Sequence, residues 1–204
     1  MKLYFAPRTR AVRPRWLLEE LGVPYELVRL DVARQENSTP SYLAVHPLGD
    51  VPALVDGDVT LLESLAICLH LADRFPEKHL APPPGSAERG PYYQWMVFAE
   101  VSLDAGVMEF YRHARLSEEQ QASTHSAEEL ARHRTRLGAV LDIIDGGLDG
   151  REVLVGGTFT AADVVMASIL HLANRLGLLD GHPRLVEYVR RHAQRPAVRK
   201  AVLG

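Results

Sequence analysis

Pro52 interrupts an apolar run in the segment PLGDVPALVDGDVTLLESLAI (residues 47–67), which otherwise has the pattern of paired strands. Proline lacks the N–H that a sheet ladder needs, so within strand-like sequence it marks an edge, a first residue or a turn. Further along the same segment, Glu63 and Ser64 stand where the strand pattern gives way to a helical one. A helix start offers unpaired N–H groups and the positive end of a dipole, which suit a carboxylate, while a glutamate beside it suits an ammonium. Arg8, Arg10, Arg13 and Arg15 crowd the segment PRTRAVRPR near the N-terminus. Most of that cluster reads as a solvated charged edge, with Arg10 the one to single out for work on an anion. The one cysteine, Cys68, excludes an intrachain disulfide and a Cys-based zinc cage. It sits in an apolar helical pattern and reads as a core thiol rather than a nucleophile.

These residues need elements to position them. Residues 2–6 and 25–31 have strand character and flank a helical pattern from Arg15 to Leu21, closed by Gly22 and Pro24, which makes a βαβ unit. Pro14 implies that this first helix starts late or irregularly. Asp56-Gly57 between two short apolar runs signals a hairpin. ESLAICLHLADRF then reads as a helix, with Leu65, Leu69 and Ala72 on one side and Ile67, Cys68, Leu71 and Phe75 filling the rest. LAPPPGS, residues 80–86, has the composition of a linker.

Past the linker the patterns are helical. Ser86 is placed to cap a long helix running to about Ala114, Ser117 with Gln120 and Ser126 with Glu129 match capping boxes, and Leu137 to Ile144 is amphipathic. Thr160 with Asp163 forms a further cap, stapled by Phe159 and Val164, and the helix behind it is apolar nearly all round from Val164 to Leu172. Such a helix belongs at the buried centre of a helical domain. The expected organisation is therefore a mixed domain over 1–79, a linker over 80–86 and an all-helical domain over 87–204.

Composition narrows the class. A formal net charge of -3 over 204 residues favours neither nucleic acid nor an anionic membrane as partner. No stretch approaches the ~18 to 20 apolar residues of a membrane helix, and the first residues lack a signal-peptide core. A soluble, cytoplasmic protein is expected.

A βαβ unit followed by ββα, with a proline just before the third strand, is the order of a thioredoxin-like domain. Followed by a helical domain with an internal FTAAD cap, it resembles cytosolic glutathione transferases of bacterial type, with a serine/threonine-type active-site loop, over essentially the whole chain. The matching stretches are LYFAPRTRAVRPRWLLEELGVPYE (3–26), HPLGDVPALVDGDVTLLESLAI (46–67), FTAADVVMA (159–167) and RPAVRKA (195–201). The resemblance implies an α/β plus all-α fold: a thioredoxin-like N-terminal domain and an all-helical C-terminal one. It implies a cis bond before Pro52, which turns the main chain of Val51 outward to pair with the cysteinyl unit of glutathione. Glu63 and Ser64 would then hold the ammonium and carboxylate that the γ-glutamyl group carries on one carbon.

Two hydroxyls compete to activate the thiol. Thr9 matches the position where serine-type transferases carry theirs and ranks first; Tyr4 falls on the catalytic tyrosine of the tyrosine-type classes, and a phenol is the stronger donor. Arg10 occupies the place of the cysteine in cysteine-type classes, so a mixed disulfide there is excluded, and it is the arginine singled out to assist a thiolate or to select an acidic co-substrate. His46 and Asp50 stand in HPLGDVP where many relatives have asparagine and lysine. The hold on the glycine carboxylate of glutathione is thereby weakened, with His46 a partial replacement. The implied co-substrate is glutathione, with no metal, and the implied partners are a small, partly hydrophobic electrophile bound between the domains and a second copy of the chain. In that homodimer Asp104 or Glu109 of the partner subunit reaches the glutathione amine. Two other functions compete. Glutathione-dependent disulfide or peroxide reductases add an asparagine that RTRAVR lacks, and a non-catalytic binding module of the same fold has no need of Glu63-Ser64. The electrophile itself is not legible.

Overall fold

The computed structural model describes residues 1–124 and 126–203. Four short strands, β1 (Lys2–Phe5), β2 (Glu26–Arg29), β3 (Ala53–Asp56) and β4 (Val59–Leu62), form a sheet in the order β2-β1-β3-β4. β1 is parallel to β2 and antiparallel to β3, which is antiparallel to β4. The parallel pair is joined through α1 (Val12–Leu21), which ends at Gly22, left-handed at φ 66° and donating its N–H to the Leu18 carbonyl. α1 begins earlier than its proline suggests. Pro14 falls in the first turn, where no N–H has an intrahelical partner, so its missing donor costs the helix nothing.

Side chains alternate across the sheet. Leu3 and Phe5 are buried toward α1, whose Arg15 guanidinium lies 4.7 Å from the Phe5 ring centroid. Tyr4 points to the opposite face, where its ring centroid lies 5.2 Å from that of Tyr42 in α2 (Pro40–Leu43). The hairpin turn is Gly57-Asp58, one residue later than Asp56-Gly57 suggests, because Asp56 closes the ladder opposite Val59. Its carboxylate lies 3.0 Å from both His70 Nε2 and Arg74 Nε, which ties the hairpin to α3 (Ser64–Arg74). The core face of α3 is Ile67, Cys68, Leu71 and Ala72; Leu65 and Leu69 are only half-buried, and Phe75 lies past the helix end.

Two compact units emerge: Met1–Ser86 together with Ala193–Gly204, and Ala87–His192. The second differs from the expected 87–204 block because α10 (Pro196–Leu203) packs on α1. Arg195 makes a two-pronged contact with Glu20 there, at 2.6 and 2.8 Å.

Within the second unit the expected long helix runs unbroken as α4 (Arg89–Phe98), a π-helical segment Ala99–Asp104 and α5 (Ala105–His113). It starts past Ser86, whose hydroxyl makes no cap. α6 (Glu118–Thr124) is preceded by the reciprocal Ser117–Gln120 pair, and α7 (Ala127–Gly147) carries the Ser126–Glu129 box. α8 (Ala161–Arg175) is buried at every residue from Ala161 to Ala167, and α9 (Pro183–Ala193) follows. No described helix is long and apolar enough to cross a membrane.

Asp163, wholly buried in α8, accepts from the Thr160 and Leu154 N–H groups at 2.8 and 2.9 Å and from the Tyr188 hydroxyl at 2.8 Å. Asp163→Ala strands these three buried donors and the Thr160 hydroxyl, which donates to the same carboxylate at 3.3 Å, and is expected to lower unfolding free energy by about 3 kcal/mol or more. Asp163→Asn, which keeps one acceptor oxygen, loses less; urea midpoints of both variants give the comparison.

Candidate functional site

Strand register decides which segments meet. Tyr4 pairs with Ala53, and Ala53 with Leu62. The ends of β1 and β4 and the start of β3 therefore share one edge of the sheet. Three segments leave from that edge: the loop from Ala6 to Ala11, the Val51–Pro52 pair and Glu63-Ser64.

The Val51–Pro52 bond is cis. Pro52 is buried and Val51 half-buried, outside the ladder that begins at Ala53. The loop before them is held at several points. Asn37 donates from Nδ2 to the Gly49 carbonyl at 2.8 Å, and the Tyr42 hydroxyl donates to the Asp50 carbonyl at 2.5 Å. Burial, with smaller effects of Tyr4 and Asp50, pushes the Tyr42 phenol above its ordinary pKa. His46 is only 5% exposed, stacked on Tyr42 at 6.3 Å, and its buried Nδ1 has no hydrogen-bond partner among the described residues.

Glu63 adopts φ 65° and ψ 119°, a region that disfavours any residue with a side chain. Its carbonyl accepts the Ile67 N–H at 3.0 Å, while its exposed carboxylate has no partner among the described residues. Ser64, only 2% exposed, accepts a hydrogen bond at Oγ from Arg13 Nη1 at 3.2 Å.

In the loop after β1, Thr9 donates its hydroxyl proton to the Ala6 carbonyl at 2.7 Å and accepts the Ala11 N–H at 3.2 Å. Its side chain thus braces the turn into α1. The Tyr4 hydroxyl has no partner among the described residues, and its ring lies on the α2 face, opposite the one covered by α1 and α3. Arg8 and Arg10 are exposed, but Arg13 and Arg15 are 4% and 5% exposed, so half of the expected solvated cluster is buried. A signal for Arg13 exists in the sequence: it lies three and four residues before Trp16 and Leu17, on the buried stripe of α1. Of the two acidic residues singled out in the long helix, Asp104 is buried in the π segment, and Glu109 accepts from Arg112 at 2.8 Å.

Among the described residues no three His, Cys, Asp or Glu side chains gather as metal ligands would. A cavity of about 720 Å³ is lined only by residues of the second unit, among them Glu88, Pro91 and Arg151, and holds none of the residues above.

Two family profiles match the chain: Glutathione S-transferase, N-terminal domain, over residues 1–73, and Glutathione S-transferase, C-terminal domain, over residues 127–191. The chain is 29% identical to Glutathione S-transferase GstA of Escherichia coli O157:H7, covering 99% of this chain and 97% of that one. It is 30% identical to Glutathione S-transferase 3 of Zea mays, with 99% and 93% covered. A solved structure of a sphingomonad glutathione S-transferase complexed with glutathione superposes with a TM-score of 0.83 at 30% identity, over 100% of this chain and 98% of that one.

Gly49 makes a direct test of how the cis-proline loop is held. It sits at φ 67°, and a Cβ there would lie 2.8 Å from the Asn37 carbonyl oxygen, a backbone atom that cannot swing away. Gly49→Ala is expected to lower stability by about 2 kcal/mol, measured by urea unfolding.

Proposed function

The chain belongs to the glutathione S-transferase family and is a glutathione transferase, and on that premise we propose that the shared sheet edge holds glutathione and activates its thiol. The observation that carries this reading is the register, which brings the main chain before cis-Pro52 beside Glu63 and Ser64.

The residues there suit the molecule's groups. Glu63 offers an unpartnered carboxylate to the γ-glutamyl ammonium, and Ser64 offers a hydroxyl to the carboxylate on the same carbon, at the positive end of the α3 dipole. The sparsely populated backbone of Glu63, costing on the order of 1–3 kcal/mol, is the kind of strain that persists where a ligand needs it. Val51 offers its main chain to the cysteinyl unit. His46 Nδ1, a buried polar atom with no partner among the described residues, is the group assigned to the glycine carboxylate.

A free thiol has a pKa of ~8.5, and lowering it by ~2 units takes ~2.7 kcal/mol of preference for the thiolate. One hydrogen bond to a charged acceptor supplies ~1.5–3 kcal/mol. Thr9 is the assigned donor. Its proton rests on the Ala6 carbonyl, but a thiolate is the stronger acceptor, and the Ala11 N–H keeps the oxygen in place while the proton swings. Exposed Arg10 adds positive charge to the same loop. Tyr4 is the weaker candidate because it lies within β1, packed on Tyr42, whereas Thr9 lies in the loop that leaves the shared sheet edge. Glutathione bound here supplies the thiolate that attacks a small, partly apolar electrophile. A cytoplasmic homodimer completes the proposal, supported by the family resemblance.

Titration with glutathione, following thiolate absorbance across pH, tests the assignment. The wild type is expected to show a saturable signal with a lowered pKa, retained in Tyr4→Phe and lost in Thr9→Ala. Ser64→Ala is expected to weaken glutathione binding about tenfold while leaving that pKa in place. Loss of the signal in Tyr4→Phe instead would transfer the role to Tyr4; no saturation at millimolar glutathione would leave the proposed site without support.

A further inference from the structure

We propose that Arg13 is a positioning residue for the glutathione carboxylate, acting through Ser64 from beneath the start of α3. The inference rests on the assignment of Ser64 above. A serine hydroxyl has one proton and two lone pairs, and which way the proton points is set by its neighbours. Arginine has donors only. Its 3.2 Å contact from Nη1 therefore makes Ser64 Oγ an acceptor on the inner side, and the hydroxyl proton is left for an acceptor on the other side.

Burial sharpens the effect. Arg13 is 4% exposed and Ser64 2%, so water competes poorly for either group and the bond polarises the hydroxyl it reaches. The fixed positive charge also lies behind the first turn of α3, where it adds to the dipole that favours an anion. In addition, the bond spans 51 residues and joins the start of α1 to the start of α3. The loop assigned to the thiol and the turn assigned to the γ-glutamyl carboxylate are thereby held at one spacing. Arg13 is thus a determinant of affinity for a ligand that carries both groups, without touching that ligand.

The test is a double-substitution cycle with Arg13→Met and Ser64→Ala, using calorimetric titration with glutathione and with cysteinylglycine, which lacks the γ-glutamyl unit. Arg13→Met is expected to weaken glutathione binding about tenfold, raise KM for glutathione and hold kcat within about twofold. In the Ser64→Ala background it is expected to add nothing further. Cysteinylglycine should bind the wild type and Arg13→Met alike, and Arg13→Lys should recover most of the lost affinity. Should Arg13→Met fail to fold, Arg13→Gln and Arg13→Lys carry the same cycle. Losses that multiply in the double variant, a fall in kcat at unchanged KM, or equal weakening of both peptides would overturn the role of Arg13. A Ser64→Ala variant with wild-type affinity for glutathione would instead remove the Ser64 assignment itself, and the inference with it.

Discussion

The antiparallel pairing of β3 with β4 is the constraint on which the candidate site depends. Ala53 opposite Leu62 sets Pro52 beside Glu63, and the two-residue turn at Gly57-Asp58 leaves no slack in that register. A slip by one residue would turn every side chain of the hairpin to the other face. The far end is pinned as well: Asp56 meets His70 and Arg74, so α3 is held along the hairpin from its first turn to its last. With both ends fixed, the helix start that carries Ser64 has little freedom to drift from the main chain of Val51.

Buried polar groups do a second kind of work in each unit. In the first, Arg13 reaches Ser64, and the Tyr42 hydroxyl holds the loop of cis-Pro52 through Asp50. In the second, Asp163 gathers donors from Thr160, Leu154 and Tyr188. Burial pushes the Asp163 carboxyl up, while those donors pull it back, and burial beside Asp163 holds Tyr188 well above the ordinary phenol value. Apolar contacts alone tolerate many packings; a polar group taken out of water is satisfied by few, so such groups select one arrangement.

Much of the architecture was legible because it is written locally. The βαβ-ββα order, the capping pairs at Ser117, Ser126 and Thr160, and the buried helix after Asp163 each follow from neighbours within a few residues. Boundaries moved where one local rule met another: Pro14 sits harmlessly in a first turn, and Asp56 joined the ladder because its carboxylate found two basic partners on α3. The place of α10 was not legible, since its packing on α1 joins segments from opposite ends of the chain.

The candidate site divides in the same way. Residue type and spacing marked Pro52 and Glu63-Ser64, because proline chemistry and a helix start are properties of short stretches, whereas Thr9 was marked by the resemblance to serine-type transferases. What each side chain touches was decided only by the tertiary fold. Thr9 spends its proton on Ala6, Tyr4 leaves from the face of α2, and Arg13 turns inward to Ser64 while Arg8 and Arg10 stay in water. Four arginines in one short segment are chemically alike in sequence; burial against a particular neighbour tells them apart, and that neighbour is 51 residues away.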